Sequence, residues 1–371
     1  MAVPLLDLKP QYRALQQEFD AAVADVAASQ YFIMGPNVKA FEAEVGAYLG
    51  ANHAIGCASG SDALLLALWA LGIGPGDEVI TTAFTFFATA GAVSRLGAKP
   101  VFVDIEADTF NIDPAAIEAA VTPATKAIIP VHIFGCAANM DAILAIGERH
   151  GLHVIEDAAQ SIGATWNGKQ TGTLGHFGCF SFFPSKNLGC WGDGGLVTSM
   201  QEDIAELVRQ LRVHGNYPRK YYHARVGMNS RLDALQAAVL RVKLPHLDSW
   251  SAARRDKVAG YKARLQDRGL AEQVVFQAIP DEAVPVYHQC VVRVPRRDDL
   301  MAHLKERGIG CAIYYPRPLH LQECFSDLGQ GEGALPVTEQ ACLDVLALPV
   351  FPELSADQQD EVIDAIVEFL G

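Results

Sequence analysis

The sequence predicts an α/β fold, with a mostly parallel seven-stranded sheet in a large domain and a smaller C-terminal α+β domain. Two observations support this. Short runs of β-branched and aromatic residues alternate with segments of helical spacing, and these runs are apolar throughout. Strands buried on both faces of a helix-covered parallel sheet have this composition. A chain of 371 residues with 50% hydrophobic content is long enough for two such domains.

Seven segments in the first 199 residues are the predicted strands of the sheet: His53–Ser59, Glu78–Thr82, Lys99–Ile105, Ala127–Phe134, His153–Asp157, Gly178–Phe183 and Gly195–Ser199. Apolar residues at helical spacing predict the covering helices between them. These helices are Ser61–Leu71, Pro114–Ala120 and Ala142–His150.

A longer helix is predicted to run from Ser230 into the region of Trp250, with Ser230 and Asp233 forming a capping box at its start. We place the domain boundary within this helix, which gives a large domain of residues 1–244 and a smaller domain of residues 245–371. The smaller domain is predicted to contain strands at Val286–Pro295 and Ile309–Tyr315 and an amphipathic helix at Asp298–Arg307.

The charge balance limits the possible partners. Lys and Arg number 29 and Asp and Glu number 43, for a net charge of −14, which argues against attraction of the whole protein to nucleic acid or to an anionic membrane. The eight cysteines are scattered without metal-ligand spacing, which is typical of reduced core thiols, and no metal site is predicted. No leader segment or membrane-length apolar stretch is evident, so a cytoplasmic protein is expected.

The first functional signal is a strand end followed directly by an apolar helix. In α/β sheets the ligand site gathers at the carboxyl ends of the strands. Gly60, Ser61 and Asp62 open the helix there, and its free backbone N–H groups and dipole would form a phosphate cradle. The alternative is that Ser61 or Asp62 only caps the helix.

The second signal is a carboxylate at the end of a buried strand. Asp157 ends the strand in HVIEDAAQSIGA, and Gln160 follows it. A carboxylate at that depth needs a cation or several donors, and a protonated pyridine nitrogen would be such a cation. The alternatives are a helix cap or an ion pair with a structural arginine. Glu156 would face the other side of the sheet, and we assign it no catalytic role.

The third signal is a lysine between an apolar run and a glycine cluster. Although a loop lysine is usually a solvated charge, Lys186 in FSFFPSKNLGCWGDGG accompanies the other two signals. Phosphate cradle, pyridine partner and amine are the contacts that pyridoxal phosphate requires. Lys186 would hold the cofactor aldehyde covalently and then move a proton. Hydroxyls and glycines flank it at Ser181, Ser185, Gly192, Gly194 and Gly195.

Ten ordered segments carry a family resemblance over nearly the whole chain: LLDLKPQY, YFIMGPNVKAFE, GSDAL, GPGDEVITTAFTFFATA, KPVFVDI, IIPVHIFG, VIEDAAQSIGA, FSFFPSKNLGCWGDGG, NSRLDALQAAVL and YYPRPLHLQ. On these segments the sequence resembles the DegT/DnrJ/EryC1/StrS family of sugar aminotransferases, which are fold-type I pyridoxal-phosphate enzymes. The resemblance implies a Schiff-base lysine at Lys186, a pyridine-nitrogen partner at Asp157 and a neighbour of the ring hydroxyl at Gln160. It also implies that Phe86 stacks on the face of the cofactor ring; the neighbouring Phe87 is the alternative residue for this role. Gly60, Ser61 and Ser181 are implied to bind the cofactor phosphate.

A basic segment from Arg212 to Arg231 stands out in this acidic chain. Its charges would suit a nucleotide diphosphate and a sugar carboxylate, although we interpret Arg219 and Lys220 as solvated. The resemblance implies that this segment serves the neighbouring subunit of a homodimer, where Asn229 reaches the cofactor phosphate. It further implies substrate contacts at His214, Arg231, Tyr315 and His320.

The resemblance implies an enzyme that moves the amino group of L-glutamate to a keto group, at C3, of a nucleotide-linked sugar for cell-surface polysaccharide or glycoconjugate synthesis, leaving 2-oxoglutarate. Tyr314 stands where related uronate enzymes often have histidine, which weakens a uronate substrate. The alternatives are amination at C4 or of a dTDP-keto-6-deoxyhexose, a pyridoxal-phosphate-dependent sugar dehydratase and a non-catalytic regulatory protein. Lys186 argues against the dehydratase, which carries histidine at that position.

Overall fold

The computed structural model describes residues 2–371. The strands are β1 (His53–Cys57), β2 (Glu78–Thr82), β3 (Lys99–Val103), β4 (Thr125–Ile129), β5 (His153–Asp157), β6 (Thr165–Trp166), β7 (Lys169–Gln170), β8 (Phe177–Ser181), β9 (Gly195–Ser199), β10 (Val275–Phe276), β11 (Ala283–Val284), β12 (Cys290–Arg293) and β13 (Val345–Leu348).

The α-helices are α1 (Lys9–Ala14), α2 (Gln16–Ser29), α3 (Pro36–Leu49), α4 (Gly60–Ala70), α5 (Ala88–Arg95), α6 (Pro114–Ala120), α7 (Met140–His150), α8 (Glu202–Leu211), α9 (Ala234–Lys243), α10 (Leu247–Asp267), α11 (Arg297–Glu306), α12 (Pro336–Asp344) and α13 (Ala356–Leu370). Short 3₁₀ turns lie at Ile133–Gly135, Leu244–His246, Leu319–Leu321 and Glu323–Leu328. Among residues 2–371, no helix is both long and apolar enough to cross a membrane.

The central sheet has seven strands in the order β1-β9-β8-β5-β4-β2-β3. Strand β9 is antiparallel to both of its neighbours, and the remaining pairings are parallel. All seven strands are those predicted, and the α/β fold class is confirmed. The fourth strand is shorter than the predicted Ala127–Phe134, because Pro130 lacks the N–H that would continue the ladder and Ile133–Gly135 forms a 3₁₀ turn.

Burial explains why the strand sequences are apolar throughout. Helix α4 packs on β8 and β9 with its residues from Ala63 to Leu68 all buried. The same core cluster includes Val79, Ile129 and Val197 from three strands of the sheet. Because helices cover the sheet in this way, the carboxyl ends of its parallel strands are the edge at which loops can form a ligand site.

The C-terminal region has a separate three-stranded antiparallel sheet in the order β10-β12-β13. Helices α10, α11 and α13 contribute to one hydrophobic cluster with β12 and β13. The predicted strand at Ile309–Tyr315 is wrong: this segment makes only single bridges, from Ile309 to Val3 and from Ala312 to Ala347. No continuous ladder forms there.

The long predicted helix is two helices, α9 and α10, joined by the 3₁₀ turn at Leu244–His246. The predicted capping box at its start is wrong. The Ser230 hydroxyl donates to Asp62 at 2.7 Å and accepts from the Ala58 N–H at 3.1 Å, while Asp233 occupies the N-cap without a side-chain bond. The division into domains 1–244 and 245–371 falls at this joint and stays a prediction.

Candidate active site

A cavity of about 430 Å³ opens at the carboxyl edge of the central sheet. Residues at or just after the ends of five strands line it, namely Ser59, Thr85, Val131, Asp157 and Ser181. Eight of the predicted site residues line this cavity: Gly60, Ser61, Phe86, Asp157, Gln160, Ser181, Lys186 and Tyr315. Four do not line it: His214, Asn229, Arg231 and His320.

Asp157 ends β5 and is buried at the base of the cavity. Its Oδ2 accepts a hydrogen bond from the Thr89 hydroxyl at 2.7 Å, and its Oδ1 accepts from the Ala159 N–H at 3.2 Å. Burial raises the pKa of Asp157, and these hydrogen bonds partly oppose that effect. Within the described chain Asp157 pairs with no arginine and no helix follows it directly, so it is available to a cationic ligand group.

Glu156, the preceding residue, points away from the cavity and belongs to the framework. Its carboxylate accepts the N–H groups of Gly172, Leu174 and Gly175, each at 2.7 Å, and lies 2.9 Å from Nε2 of His132. The Ala138 N–H donates to Nδ1 of His132, so the proton of this neutral imidazole lies on Nε2 and is donated to Glu156. These bonds satisfy a buried carboxylate and fix the strand that presents Asp157.

Lys186 is half-buried in the loop between β8 and β9. The loop is closed by two backbone bonds, from the Lys186 N–H to the Phe183 carbonyl and from the Cys190 N–H to the Phe182 carbonyl, both 2.8 Å. Its Nζ forms no hydrogen bond or ion pair in the part of the chain that the structure describes. Burial lowers the pKa of Lys186 to about 8, and Asp157 opposes that shift. The amine is therefore available as a nucleophile near neutral pH.

The start of α4 lines the cavity with Gly60 and Ser61. Ser59 is the N-cap, and its side chain accepts from the Asp62 N–H at 3.1 Å. The cap is therefore neither Ser61 nor Asp62. A Cβ on Gly60 would lie 2.6 Å from Cβ of Ser181, and one on Gly195 would lie 2.2 Å from the Ser59 carbonyl oxygen. Only glycine permits this close approach of helix and strands.

The aromatic residues at the cavity separate into different surroundings. Phe86 lines the cavity and is 59% exposed, whereas the ring of Phe87 packs at 5.6 Å from the ring of Phe325.

Gln160 accepts the Phe134 N–H at 2.7 Å and donates to the Tyr315 hydroxyl at 3.0 Å. Burial raises the pKa of Tyr315, so its hydroxyl keeps its proton.

The segment between α8 and α9 carries the predicted residues His214, Asn229 and Arg231 outside the cavity. His214 and Asn229 are exposed, and the guanidinium of Arg231 forms no hydrogen bond or ion pair with any described residue. The expectation that Arg212 belongs to a free positive patch is wrong. Its guanidinium is buried against Glu42 at 2.5 Å and the Gly56 carbonyl at 2.6 Å.

His320 is buried in a 3₁₀ turn of the C-terminal region. Its Nε2 lies 3.1 Å from the Glu339 carboxylate, and it lines a surface depression that is separate from the cavity of Lys186. In a single chain its surroundings are those of a packed residue.

Three polar residues of the site were not singled out from the sequence. Thr89 binds Asp157, Asn187 follows Lys186, and His288 lines the cavity. Thr89 and His288 are polar residues in otherwise apolar segments, which is the signal that would have found them. Among the described residues no group of His, Cys, Asp and Glu could hold a metal ion, and all eight cysteines are unpaired.

Comparison with known proteins identifies the family of the chain. The model of the DegT/DnrJ/EryC1/StrS aminotransferase family matches residues 13–367. The chain belongs to this family. It is 55% identical to the "Pleiotropic regulatory protein" of Geobacillus stearothermophilus, with 100% of this chain and 99% of that protein covered.

Two further relatives are named as sugar aminotransferases. The chain is 46% identical to the dTDP-3-amino-3,4,6-trideoxy-alpha-D-glucose transaminase of Streptomyces venezuelae, covering 99% of this chain and 96% of the relative. It is also 46% identical to the UDP-N-acetyl-3-dehydro-alpha-D-glucosamine 3-aminotransferase of Acidithiobacillus ferrooxidans, covering 96% and 95%.

Solved structures show the same fold. The crystal structure of S. venezuelae DesV in complex with a ketimine intermediate matches with a TM-score of 0.95 at 46% identity, covering 99% of this chain and 98% of that one. The structure of NtdA from Bacillus subtilis with bound cofactor PMP matches with a TM-score of 0.93 at 32% identity, covering 99% and 85%.

Proposed function

We propose that this aminotransferase moves the amino group of L-glutamate to the keto group at C3 of a nucleotide-linked sugar, with pyridoxal phosphate as its cofactor. One observation carries the proposal: a single cavity joins the buried acid Asp157, the unpartnered amine of Lys186 and the N-terminus of α4. The names of the transaminase and 3-aminotransferase relatives support C3 as the site of amination.

The residues of the cavity fit pyridoxal phosphate at three points. The glycine-lined start of α4, with Ser61 and Ser181, suits a phosphate dianion. Asp157, buried and without a cationic partner in the described chain, suits a protonated ring nitrogen. Phe86 offers an exposed ring at the cavity for stacking.

The cofactor, when bound, supplies an electron sink for the carbanion that forms at the amino-bearing carbon. Nζ of Lys186 would hold the cofactor through its aldehyde carbon. Once the amino group of glutamate has displaced it, Nζ would accept the proton from the α-carbon; the cofactor would retain the amino group and the electron pair, and water would supply the keto oxygen of 2-oxoglutarate. In the second half, Nζ would return a proton to C3 of the sugar. Asp157 would hold the protonated ring nitrogen, whose positive charge favours the ionised carboxylate.

The cavity of one chain is short of positive charge for this task. Lys186 is the one cationic lysine or arginine side chain among its described lining residues, which also include the carboxylates of Asp157 and Asp193. Glutamate and a nucleotide diphosphate are both anions and need further cations. A second copy of the chain can supply a cation through Arg231, with His214 also contacting the substrate and Asn229 reaching the phosphate.

An exposed apolar surface supports a homodimer with shared sites. Tyr31, Phe32 and Ile33 are 63%, 42% and 44% exposed, and their segment pairs with the start of α9 through the bond from the Ala234 N–H to the Phe32 carbonyl. Trp191, 47% exposed, lies beside α9 because its backbone N–H donates to the Gln236 side-chain oxygen. Exposed apolar patches of this kind mark protein interfaces.

The product would serve cell-surface polysaccharide or glycoconjugate synthesis. We place the enzyme in the cytoplasm, and its eight unpaired cysteines support a reducing compartment.

The test is a mass-spectrometric assay of ¹⁵N transfer from labelled L-glutamate to a panel of UDP- and dTDP-linked 3-keto and 4-keto sugars, with Lys186→Ala as the inactive control. Label in a 3-keto acceptor supports the proposal. If ¹⁵N appears only in a 4-keto acceptor, the enzyme aminates C4 instead of C3. If the sugar loses a hydroxyl and gains no nitrogen, the enzyme is a dehydratase. A protein that neither transfers label nor changes its absorbance with glutamate is a scaffold, and the proposal fails.

A further inference from the structure

Thr89 binds Asp157 directly, and the proposed reaction assigns it no role. It lies in the first turn of α5, is fully buried and does not line the cavity. Its N–H donates to the Phe86 carbonyl at 3.3 Å, and its hydroxyl donates to Asp157. One short segment therefore carries both the exposed ring of Phe86 and a buried hydroxyl directed at the acid.

The directions of the hydrogen bonds in this segment follow from the carboxylate. An ionised carboxylate can only accept, so the Thr89 hydroxyl donates its single proton to Oδ2 of Asp157 at 2.7 Å. Oγ1 of Thr85 lies 3.0 Å from Oγ1 of Thr89. Because Thr89 has no second proton, Thr85 is the donor in that contact. Two buried hydroxyls therefore donate in one direction, from Thr85 through Thr89 to Asp157.

The second oxygen of the carboxylate is held as well. Oδ1 of Asp157 accepts from the Ala159 N–H at 3.2 Å. Each carboxylate oxygen can accept about two hydrogen bonds, so Asp157 keeps accepting capacity for a ligand in the cavity that it lines. Since Thr89 is fully buried, its bond to the carboxylate is shielded from bulk water. A charge-assisted bond in such surroundings stabilises the anion relative to the neutral acid.

We propose that Thr89 is a positioning residue for the reaction, whose hydroxyl keeps the Asp157 carboxylate ionised and in one orientation at the cavity. Thr85 supports this role because its own hydrogen bond polarises the Thr89 hydroxyl. The inference rests on the proposed function, since amino transfer needs an ionised acid to hold the protonated ring nitrogen of the cofactor.

The groups around Asp157 define what a titration of its carboxyl reports. Burial raises the pKa of Asp157, and the Thr89 hydrogen bond is the largest of the effects that lower it. Four other ionisable side chains act on Asp157 or are affected by its charge: Lys186, His132, Cys179 and Tyr315. All four are present in every variant compared below. A difference between variants therefore reports the hydroxyl of residue 89.

Titration of the Asp157 carboxyl in the cofactor-free, full-length protein tests the inference. Aspartate labelled with ¹³C at the side-chain carboxyl gives an NMR signal that follows ionisation, and Asp157→Asn identifies the signal of Asp157. Thr89→Val keeps the side-chain shape and removes the donor, so the pKa of Asp157 should rise by about one pH unit. Thr89→Ser keeps the hydroxyl and should leave this pKa within about 0.3 pH units of wild type.

The same two variants separate positioning from packing. In the cofactor-loaded enzyme, kcat of Thr89→Val should fall about tenfold, with KM for glutamate within about twofold, whereas Thr89→Ser should keep most of the activity. If Thr89 only filled space, Thr89→Val would match wild type and Thr89→Ser would be the perturbed variant, and that result overturns the inference. A raised pKa of Asp157 with wild-type kcat overturns it as well.

Two controls keep the test decisive. Thr338→Val makes the same replacement at a buried threonine in the first turn of α12, whose hydroxyl bonds to no described residue, and should match wild type in both measurements. If Thr89→Val does not fold, Thr85→Val removes the donor to Thr89 and should raise the pKa of Asp157 by about 0.2 pH units; no rise overturns the inference. The titration needs no cofactor, so a wild-type protein that never binds pyridoxal phosphate would contradict the proposed function separately.

Discussion

The wall of the cavity and the segment from residue 212 to residue 231 differ in how they are held. In the wall, Asp157 and Gln160 each have specific protein partners within one chain. In the segment, Arg212 and Ser230 are anchored to Glu42 and Asp62, but residues 217–226 between them are exposed. There the guanidinium of Arg219 lies 3.9 Å from the ring centre of Tyr222. The groups proposed for bond making thus meet within one chain, whereas the groups proposed for recognising anions lie outside its cavity.

The largest effect is expected in the wall, for Lys186→Ala. Without this amine neither cofactor attachment nor proton transfer can occur, so turnover should fall by more than about 10³-fold. Single-turnover assays and the absorbance of the purified protein check this. Lys169→Ala, at an exposed lysine, should behave as wild type. An active Lys186→Ala variant would show that Lys186 is not required for the reaction.

A second change in the wall compares two adjacent carboxylates. Asp157→Asn should lower kcat by about 10²-fold, because an amide cannot hold the ring nitrogen protonated. Its unfolding temperature should stay near wild type, since the amide can still bond to Thr89 and Ala159. Glu156→Gln should do the opposite, because it loses acceptors for buried N–H groups, at a cost of about 1–3 kcal/mol in the free energy of unfolding. Measurements of kcat and of thermal unfolding for both variants test these two roles. A similar loss of kcat in both variants would contradict the assignment of a chemical role to Asp157 and a structural role to Glu156.

The next effect belongs to the segment. Arg231→Ala should raise KM for the sugar nucleotide about tenfold while leaving cofactor capture intact, because one charge-assisted contact is lost. Mixing Arg231→Ala with Lys186→Ala and allowing subunits to exchange should restore about a quarter of all sites, since each mixed dimer has one intact site. Activity at low substrate that does not exceed the mean of the two parents would show that the sites are not shared.

The smallest effect is expected at His320, which is buried beside Glu339 outside the cavity. His320→Asn should change KM for the sugar nucleotide less than about twofold and lower the unfolding free energy by about 1 kcal/mol, through loss of the buried hydrogen bond. Steady-state kinetics and denaturant unfolding check this. A large rise in KM would instead support the substrate contact that the sequence predicts.

Much of the sheet, the family and the cofactor could be predicted from the sequence because they depend on local pattern. Strands buried on both faces must be apolar throughout, and a charged residue that ends such a strand, such as Asp157, stands out. The same holds for Lys186 between an apolar run and glycines. Family membership, fold class, aminotransferase activity and pyridoxal phosphate as the expected cofactor are all confirmed by the comparisons.

The wrong predictions concern residues whose contacts are made with residues far away in the sequence. Ser230 resembles a helix cap but bonds to Asp62, 168 positions away, and Arg212 resembles a surface cation but is neutralised by Glu42, 170 positions away. No local pattern encodes such pairings. The roles of His214, Asn229 and Arg231 stay predictions for the same reason, since their partners would lie on another chain.

The central claim is that Lys186 is the lysine to which pyridoxal phosphate attaches, and borohydride reduction of the loaded protein followed by peptide mapping tests it most directly. The chain contains a competitor: Lys243 is buried, donates to the Gly189 carbonyl at 2.6 Å and also has its pKa lowered to about 8. The account predicts the phosphopyridoxyl label on the peptide that contains Lys186. Label on Lys243 or another lysine, or no label after reduction, would contradict it.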